Sequence, residues 1–330
     1  MRIASSAPTR IDLAGGTFDI WPLYLFHERA QTINAALSLR AHCTLTSRHD
    51  ERVTLTSDDT GERIEAASLD ALTVDTLPLV ARLVKHFGAR GVDVRTRSES
   101  PVGAGIAGSS ALNVATAGAL AEWTGRRLEP DQLLNIAMNV EAQVIRVPTG
   151  VQDYRPAFYG GVSAVEMDVA GVRRVALHVD ARELSRRIVV AYTGESRQSG
   201  INNWDVMVRR IRGDEEVVSA FDAIRDAALA MRAALEGGDW TGAARQLAVE
   251  WTARKRLAPR VTTPPIDELF DRAHRAGALA GKVCGAGGGG CLFCLVDPDR
   301  HAAVSSALAD GGAKVLACEI EPDGLRIERS

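Results

Sequence analysis

The chain has 330 residues, of which 46% are hydrophobic and 25% charged, and its formal net charge is −3. This composition is that of an ordinary globular protein with a sizeable core, and the length predicts two domains of roughly 150 residues. The near-neutral charge excludes a strongly basic nucleic-acid-binding protein and gives no indication of a partner membrane surface.

The N-terminal segment and the cysteines indicate where the protein works. Met1–Pro8 has no long apolar core, and no apolar run reaches the roughly 18 residues of a membrane span, so we expect neither a signal peptide nor a transmembrane helix. The five cysteines, an odd number in a large chain, predict reduced thiols and a cytoplasmic protein. Cys291 and Cys294 have the spacing of a metal or redox pair but lie in an apolar run typical of a buried strand. Strand alternation puts their thiols on opposite faces, so we expect neither role.

Strand patterns dominate the first third of the chain, where apolar and polar residues alternate. The alternation predicts strands over residues 40–48, 52–56 and 92–96. A short helix over Leu77–Phe87 interrupts them. Helices dominate from Ser109 onwards, and the first of them is expected to end at about Trp123.

The middle of the chain contains one further helix and then strands. The helix runs from about Pro130 to Ile145 and has an apolar stripe along one face. The predicted strands are Val162–Val169, Val172–Val179 and Arg187–Tyr192.

The last part of the chain is first helical and then mixed. Helices are expected over residues 200–275, with breaks near Gly213, Gly237-Gly238 and Pro264-Pro265. Strands over Gly281–Cys284 and Cys291–Val296 flank a glycine loop, and a helix and a strand follow. Runs of strands followed by runs of helices, twice over, predict an α+β protein with two lobes, residues 1–183 and 184–330.

The segment Pro101-Val-Gly-Ala-Gly-Ile-Ala-Gly-Ser-Ser-Ala-Leu112 is a glycine-rich loop that leads into a helix. Its glycines let the backbone approach a ligand, and Ser109 and Ser110 are expected to cap the helix. Exposed amides at a helix N-terminus favour a phosphate. The segment is neither a Walker A loop nor a dinucleotide-binding fingerprint, and by itself it is equally compatible with a plain structural turn.

Two acids and a serine suit phosphoryl transfer, which needs bound phosphates, a divalent metal and a group that handles the acceptor proton. Ser110 and Glu141 offer the oxygen ligands that Mg²⁺ prefers, although a helix cap and a solvated helix-edge acid are the alternatives. Asp153, in the loop Pro148–Arg155, can accept a proton from an alcohol, or it can close an Asx turn.

Three further features have open interpretations. Arg10 is either a surface charge or a clamp on a γ-phosphate and on Asp153. Asp19 follows a Gly-Gly turn and either binds vicinal hydroxyls or closes the turn. Gly285–Gly290 is too rich in glycine for a strand, which indicates backbone close to a ligand or to another loop.

Taken together, these segments resemble the three motifs of the GHMP kinases, the family of galactokinase, homoserine kinase, mevalonate kinase and phosphomevalonate kinase. The first motif is matched by Ala7-Pro-Thr-Arg10 and the second by Pro101-Val-Gly-Ala-Gly-Ile-Ala-Gly-Ser-Ser-Ala111. The third is matched by Lys282-Val-Cys-Gly-Ala-Gly-Gly-Gly-Gly290. The motifs follow in the family's order, and the resemblance covers essentially the whole chain.

The resemblance implies a two-lobed fold with ATP and substrate in the cleft between the lobes. Asp153 would be the catalytic acid residue beside the acceptor hydroxyl, with Arg10 as its charged partner, and Ser110 and Glu141 would hold Mg²⁺. The ATP phosphates would be bound by Pro101, Gly103, Ala104, Gly105, Ile106, Ala107, Gly108, Ser109 and Ser110. The substrate side would include Gly16, Thr17, Asp19, Arg197, Gly287 and Gly288.

Within the family the chain is most similar to bacterial sugar kinases of the D-glycero-D-manno-heptose 7-phosphate kinase and fucokinase group. The similarity lies in Arg10-Ile-Asp-Leu-Ala-Gly-Gly-Thr17, Gly150-Val-Gln-Asp153 and Tyr192-Thr-Gly-Glu-Ser-Arg197. It implies an ATP- and Mg²⁺-dependent kinase for the anomeric hydroxyl of a heptose 7-phosphate or a hexose derivative. The group usually has other residues at Thr17-Phe18 and Tyr154-Arg155, which leaves the sugar open.

Two alternatives to a sugar kinase remain open. A mevalonate-type kinase is disfavoured by Arg10, where those enzymes carry Lys, and by the acidic Asp19, since a carboxylate substrate prefers a basic pocket. A non-catalytic sensor of sugar and ATP is disfavoured by the full set of catalytic residues. The expected partners are ATP and a sugar or sugar phosphate, with Arg197 and Lys255 as candidate contacts to an acceptor phosphate. We expect a monomer or homodimer that binds neither nucleic acid nor membrane.

Overall fold

The computed structural model describes residues 1–196 and 201–330, in which strands and helices form an α+β fold with two β-sheets. The strands are β1 (Arg2–Ala14), β2 (Ala30–Ser47), β3 (Val53–Ser57), β4 (Arg63–Ala66), β5 (Val92–Ser98), β6 (Val162–Asp168), β7 (Gly171–Ala176), β8 (Ile188–Tyr192), β9 (Ala278–Val283), β10 (Cys291–Val296), β11 (Lys314–Leu316) and β12 (Arg326–Arg329).

The helices cover the faces of these sheets. They are α1 (Pro78–Phe87), α2 (Gly108–Trp123), α3 (Pro130–Ile145), α4 (Tyr154–Tyr159), α5 (Ala181–Arg187), α6 (Ile201–Ile211), α7 (Glu215–Glu236), α8 (Trp240–Lys255), α9 (Pro264–Arg275) and α10 (His301–Asp310). Short 3₁₀ turns lie at Leu23–Phe26 and Pro298–Arg300. Within the two described ranges, no helix has the length and apolar character needed to cross a membrane.

The larger sheet has the order β12-β1-β2-β5-β3-β4, and β6 and β7 extend it beside β2. The long strand β2 pairs with β6 through residues 30–35 and with β5 through residues 41–47. β12, near the end of the chain, pairs with β1. In β1 the run Ala7–Ala14 is buried on both faces, so it lacks the alternation from which a half-buried strand is predicted.

The smaller sheet is antiparallel and has the order β11-β8-β10-β9. Every residue of β10 is buried. Cys291 and Cys294 belong to two different hydrophobic clusters, one on each face, as the alternation predicted. All five cysteines are free thiols. Among the described residues, no three His, Cys, Asp or Glu side chains are grouped in a way that could hold a metal ion.

Most predicted elements are confirmed, although some bounds differ and short helices were missed. Helix α3 has the predicted bounds, whereas the strand predicted at 40–48 is only the end of β2. The short helices α4 and α5 were missed. The predicted break near Pro264-Pro265 is confirmed, because α8 ends at Lys255 and these prolines begin α9, where the missing amide has no cost.

An aromatic cluster fixes the connection between β1 and β2. The ring centroid of Phe18 lies 4.9 Å from that of Phe221 on α7 and 5.0 Å from that of His27. Arg210 Nε donates to His27 Nε2 at 2.8 Å, so the other ring nitrogen donates to Asp222 at 3.1 Å. Burial, together with nearby Arg210, lowers the pKa of His27. The neutral imidazole and the two phenyl rings therefore hold this connection against α7.

Phe221→Ala is expected to lower the free energy of unfolding by about 3–5 kcal/mol, because Phe221 is fully buried and its removal leaves a cavity. Urea unfolding measures this loss. The control Val249→Ala, at a position 43% exposed on α8, is expected to change stability by less than about 0.5 kcal/mol. A loss below about 1 kcal/mol for Phe221→Ala would contradict the packing described.

Candidate active site

The glycine-rich loop before α2 ends in a helix N-terminus whose amides are available to a ligand. Ala107 precedes the helix in the left-handed region, with φ 60°, and no side chain of the described residues makes an N-cap hydrogen bond there. The prediction that Ser109 and Ser110 cap this helix was wrong, because both hydroxyls donate to Glu141 on α3. The first-turn N–H groups are thus left for an anion, as the glycine pattern predicted.

One cavity of about 400 Å³ joins the glycine-rich loop to the predicted metal ligand Glu141 and the predicted catalytic acid Asp153. Glu141 and Asp153 both line it, and so does Ala286 of the third motif. From the second motif its wall contains Pro101, Gly103, Ala104, Gly105, Ala107, Gly108, Ser109 and Ser110. Ile106 does not line the cavity, because its side chain is fully buried in the core and its carbonyl accepts the N–H of Arg10 at 3.0 Å.

Apolar side chains form another part of the same wall. They come from the start of α1 and from the segment that follows α3, and they include Leu77, Pro78, Leu79, Ile145 and Val147. A cavity with an apolar wall and an amide-lined loop suits a ligand that has a flat apolar part and an anionic part.

Glu141 is a buried carboxylate surrounded by hydroxyl groups. It accepts hydrogen bonds from Ser109 at 2.6 Å, Ser110 at 2.8 Å and Tyr154 at 2.7 Å. It forms no ion pair within the described residues, and burial raises its pKa although the three hydroxyls oppose this shift. A buried carboxylate with hydroxyl oxygens and no counter-ion is a donor set that fits Mg²⁺. The sequence singled out Tyr154 only as a departure from the sugar-kinase group, and its hydrogen bond to Glu141 was not predicted.

Arg10 and Asp153 form the ion pair at the centre of the site. Arg10 Nε donates to Asp153 Oδ1 at 2.9 Å, a second guanidinium nitrogen contacts the same oxygen, and the third donates to Gly105 O at 3.2 Å. Arg10 is 2% exposed, so it is no surface charge. Burial opposes its charge, but the nearby carboxylates, Asp153 foremost, raise the pKa of Arg10.

Asp153 lies immediately before the short helix α4. Its carboxylate makes no capping hydrogen bond within the described residues. It therefore meets Arg10 instead of closing an Asx turn, the alternative left open by the sequence. The side chain of Asp153 is 21% exposed, and the side of the carboxylate that does not contact Arg10 reaches the cavity.

Asp19 lies beside the segment that carries Asp153. Its carboxylate accepts the N–H of Gln152 at 3.1 Å, and its carbonyl accepts the N–H of Val151 at 3.1 Å. Burial and the negative charge of Asp153 raise the pKa of Asp19 to about 7. Thr17 is buried nearby in the chain, with φ 78°.

Three other residues predicted on the substrate side, Gly287, Gly288 and Lys255, do not line the cavity. Gly288 donates its N–H to Val261 O at 2.9 Å. Lys255 is exposed, and its ammonium group lies over the ring of Trp251. Arg197 lies outside the described residues.

The third motif packs directly on the second. Cys291 N–H donates to Ala104 O at 2.6 Å, and a Cβ added at Gly290 would lie 2.7 Å from the same oxygen. Only glycine fits at position 290, because any side chain would push the two loops apart. The glycine-rich loop that follows β9 therefore contacts another loop, which is one of the two alternatives, a ligand or another loop, predicted for it.

A buried cluster of charges that sequence reasoning missed lies beside this contact. Lys282 Nζ donates to Asp12 and to Glu250, at 2.8 Å in each case. Arg254 contacts Glu250 at 3.2 Å and donates to Gly285 O at 2.8 Å. Burial alone would raise the pKa of Asp12, but the neighbouring cations, Lys282 foremost, lower it to about 2. Asp12 lies in the segment Arg10–Thr17 and Lys282 in the third motif, and this was the one available signal.

Gly16 belongs to this cluster and not to the cavity wall. A Cβ added there would lie 2.5 Å from both Arg254 Nη1 and Asp12 Oδ2. Glycine is therefore required at this position because charged side chains occupy the space that a Cβ would need.

Comparison with known protein families finds two matches in chain order. Residues 76–161 match the model of the GHMP kinases N terminal domain, and residues 231–314 match that of the GHMP kinases C terminal. The segment with the second motif, Glu141 and Asp153 lies within the first match, and the third motif lies within the second.

Individual relatives align along nearly the whole chain. It is 30% identical over 318 residues to the D-glycero-alpha-D-manno-heptose 7-phosphate kinase of Campylobacter jejuni, covering 93% of each chain. It is 27% identical over 358 residues to the mevalonate kinase of Thermococcus gammatolerans, covering 99% of each. The crystal structure of a D-glycero-D-manno-heptose 1-phosphate kinase from Bacteriodes thetaiotaomicron has the same fold, with a TM-score of 0.81, 24% identity and 99% of each chain covered. The chain therefore belongs to the GHMP kinase family, whose members use ATP as phosphate donor, and both the fold and the kinase activity predicted from its motifs are confirmed.

Proposed function

We propose that this kinase transfers the γ-phosphoryl group of ATP to the anomeric hydroxyl of a heptose 7-phosphate or a related hexose derivative. The observation that carries the proposal is that the amides at the start of α2, Glu141 and Asp153 line one cavity, with Arg10 bound to Asp153 behind its wall. The 30% identity to the Campylobacter jejuni heptose 7-phosphate kinase supports the choice of acceptor.

We assign ATP to the cavity because the cavity wall has one part lined by backbone amides and another part lined by apolar side chains. The phosphates lie along the backbone from Gly103 to Ser110, where the helix N-terminus favours negative charge. The adenine packs against the apolar side chains at the start of α1 and after α3.

Glu141 and Ser110 are the residues that would hold Mg²⁺. The hydroxyl of Ser110 is 2.8 Å from the Glu141 carboxylate, and the carboxylate has no basic partner among the described residues. When bound, Mg²⁺ neutralises charge on the ATP phosphates.

Asp153 takes the proton of the acceptor hydroxyl. The hydroxyl oxygen then forms a bond to the γ-phosphorus, the bond between that phosphorus and the β,γ-bridging oxygen breaks, and ADP leaves. Arg10 holds the Asp153 carboxylate from one side and keeps its positive charge beside the phosphoryl group. Catalysis therefore depends mainly on position and electrostatics.

The acceptor is assigned to the Asp19 side of the catalytic acid. A buried carboxylic group with a pKa of about 7 can both donate to and accept from sugar hydroxyls near neutral pH. Arg197 remains a candidate contact to the acceptor. We further propose a cytoplasmic enzyme, since ATP is its donor and its cysteines are free thiols.

Phosphorylation of mevalonate is the second candidate, since the Thermococcus gammatolerans mevalonate kinase aligns with 99% of the chain. The buried acid Asp19 beside Asp153 disfavours it, because a carboxylate substrate would meet two acidic groups. An ADP-release screen of hexoses, heptoses, their terminal phosphates and mevalonate distinguishes the candidates. ADP release with a heptose phosphate supports the proposal, and release with mevalonate alone overturns it.

Asp153→Asn is expected to lower kcat by about 10²–10⁴-fold, because the amide can accept the hydrogen bond from Arg10 but cannot take up a proton. Binding of a non-hydrolysable ATP analogue, measured by calorimetry, is expected to persist. The control is Asp299→Asn, in the turn Pro298–Arg300, where the side chain is 75% exposed. Equal turnover in the two variants would remove Asp153 from the reaction.

Ser110→Ala is expected to raise the Mg²⁺ concentration for half-maximal activity about tenfold, because the variant loses one metal ligand. Ser109→Ala is the matched control, since its hydroxyl also donates to Glu141 but is assigned no metal. We expect less than about a threefold change for the control. Similar changes in the two variants would mean that Ser110 only supports Glu141.

Asp19→Asn is expected to alter how stability depends on pH. The pKa of Asp19 is raised from 3.8 to about 7 in the folded protein, so between these values the folded chain holds a proton that the unfolded chain has released. Its stabilising contribution is therefore full below about pH 4 and is lost as the pH rises through 7.

Urea unfolding at several pH values tests this dependence. Relative to Asp19→Asn, the wild type is expected to lose roughly 1 kcal/mol of unfolding free energy per pH unit from about pH 5 to 7. A difference that stays constant over this range would contradict the assignment of a buried, protonated Asp19.

A further inference from the structure

The buried charge cluster joins strand β1 of the larger sheet to strand β9 of the smaller sheet and to α8, which packs on β9. Its members are Asp12 on β1, Glu250 and Arg254 on α8, and Lys282 on β9, and none is more than 3% exposed. Buried charges are costly unless each has partners of good geometry, so the position of every member is strongly constrained.

Asp12 and Glu250 share the ammonium group of Lys282 but differ in their other contacts. Asp12 uses both oxygens, because Oδ2 accepts from Lys282 at 2.8 Å and Oδ1 accepts the N–H of Gly285 at 3.4 Å. Glu250 uses only Oε1, which accepts from Lys282 and Arg254, whereas its Oε2 has no hydrogen-bond partner in the structure as described.

The first residue of the third-motif loop is thereby held from two sides. Asp12 binds the N–H of Gly285, and Arg254 Nη2 binds its carbonyl at 2.8 Å. The cluster has no spare room, because Gly16 leaves no space for a Cβ beside Arg254 and Asp12.

Asp12 also faces the catalytic pair. It lies two residues after Arg10 on β1, so the two side chains share a face of the strand. Arg10 Nη1 is 3.9 Å from Asp12 Oδ1, a longer contact than the hydrogen bonds that Arg10 makes to Asp153. Lys282 neutralises Asp12 at close range, which leaves Arg10 to Asp153.

We propose that Asp12 is a positioning residue, which holds the Gly285–Gly290 loop in register with Arg10 so that both glycine-rich loops close on the same phosphoryl group. The proposal rests on the kinase function assigned to the cavity. It predicts an effect on turnover greater than the effect on ATP binding, because Asp12 does not line the cavity.

Two isosteric variants on either side of Lys282 test this role. In Asp12→Asn the side chain keeps one acceptor oxygen, so its amide group must face either Lys282 or the N–H of Gly285, and both are donors. In Glu250→Gln the amide group can replace the unpartnered Oε2, and every hydrogen bond to Oε1 is kept. Each variant removes one negative charge beside the same ammonium group, so the pair controls for the loss of charge.

The readouts are kcat, the KM for ATP, the Tm, and hydrogen exchange of the amides of Gly285–Gly290. For Asp12→Asn we expect kcat to fall about tenfold or more and exchange to rise about tenfold, with the KM for ATP within about threefold of wild type. For Glu250→Gln we expect kcat and loop exchange within about threefold of wild type, even if its Tm falls as far as the Tm of Asp12→Asn.

Equal effects of the two variants on loop exchange would overturn the proposal. If Asp12→Asn does not fold, the double variant Lys282→Met/Glu250→Gln removes one charge of each sign and takes Lys282 from Asp12, and the same faster exchange is expected. Wild-type exchange in that double variant would also overturn the proposal. Hydrogen exchange is measured without a sugar acceptor. A failure of the assigned kinase reaction would appear as no ADP release from the wild type. It is therefore distinguished from a failure of the positioning role of Asp12, which would appear in the exchange rates.

Discussion

The ion pair between Arg10 and Asp153 is the contact on which the candidate site depends. Arg10 is almost fully buried, and a buried guanidinium without a carboxylate partner would be strongly destabilising. Its backbone N–H also binds Ile106 O, and its side chain binds Gly105 O. One residue of β1 thus fixes the proposed catalytic acid relative to the glycine-rich loop.

Contacts between the two glycine-rich loops bring the third motif to the candidate site. Cys291 N–H and Gly290 meet the carbonyl of Ala104, so the third motif rests on the second without any side chain between them. The cluster of Asp12, Lys282 and Glu250 lies behind this contact. A buried set of ion pairs adds little to stability compared with apolar packing, but it restricts the geometry to one arrangement.

The sequence predicted the parts of the site that are encoded locally. Helix α3 was predicted with its bounds because a proline begins it and an apolar stripe runs along it. The second motif indicated an anion site because its glycines lie next to the start of a helix in the chain. Asp153 and Glu141 were identified from the chemistry that phosphoryl transfer needs and from the family resemblance, and both line the same cavity as the glycine-rich loop.

The parts that were missed depend on partners far apart in the chain. Ser109 bonds to a carboxylate 32 residues later and not to its own helix, and no local signal distinguishes these outcomes. Asp12 and Lys282 are 270 residues apart, so only the fold brings them together. The first half of β2 is buried on both faces and therefore lacks the alternation that marks a strand.

The most direct test of this account is a crystal structure with a non-hydrolysable ATP analogue and Mg²⁺. The account predicts the triphosphate along Gly103–Ser110, the metal against Glu141 and Ser110, and the γ-phosphate on the free side of Asp153. A nucleotide bound outside this cavity, or a γ-phosphate directed away from Asp153, would contradict it.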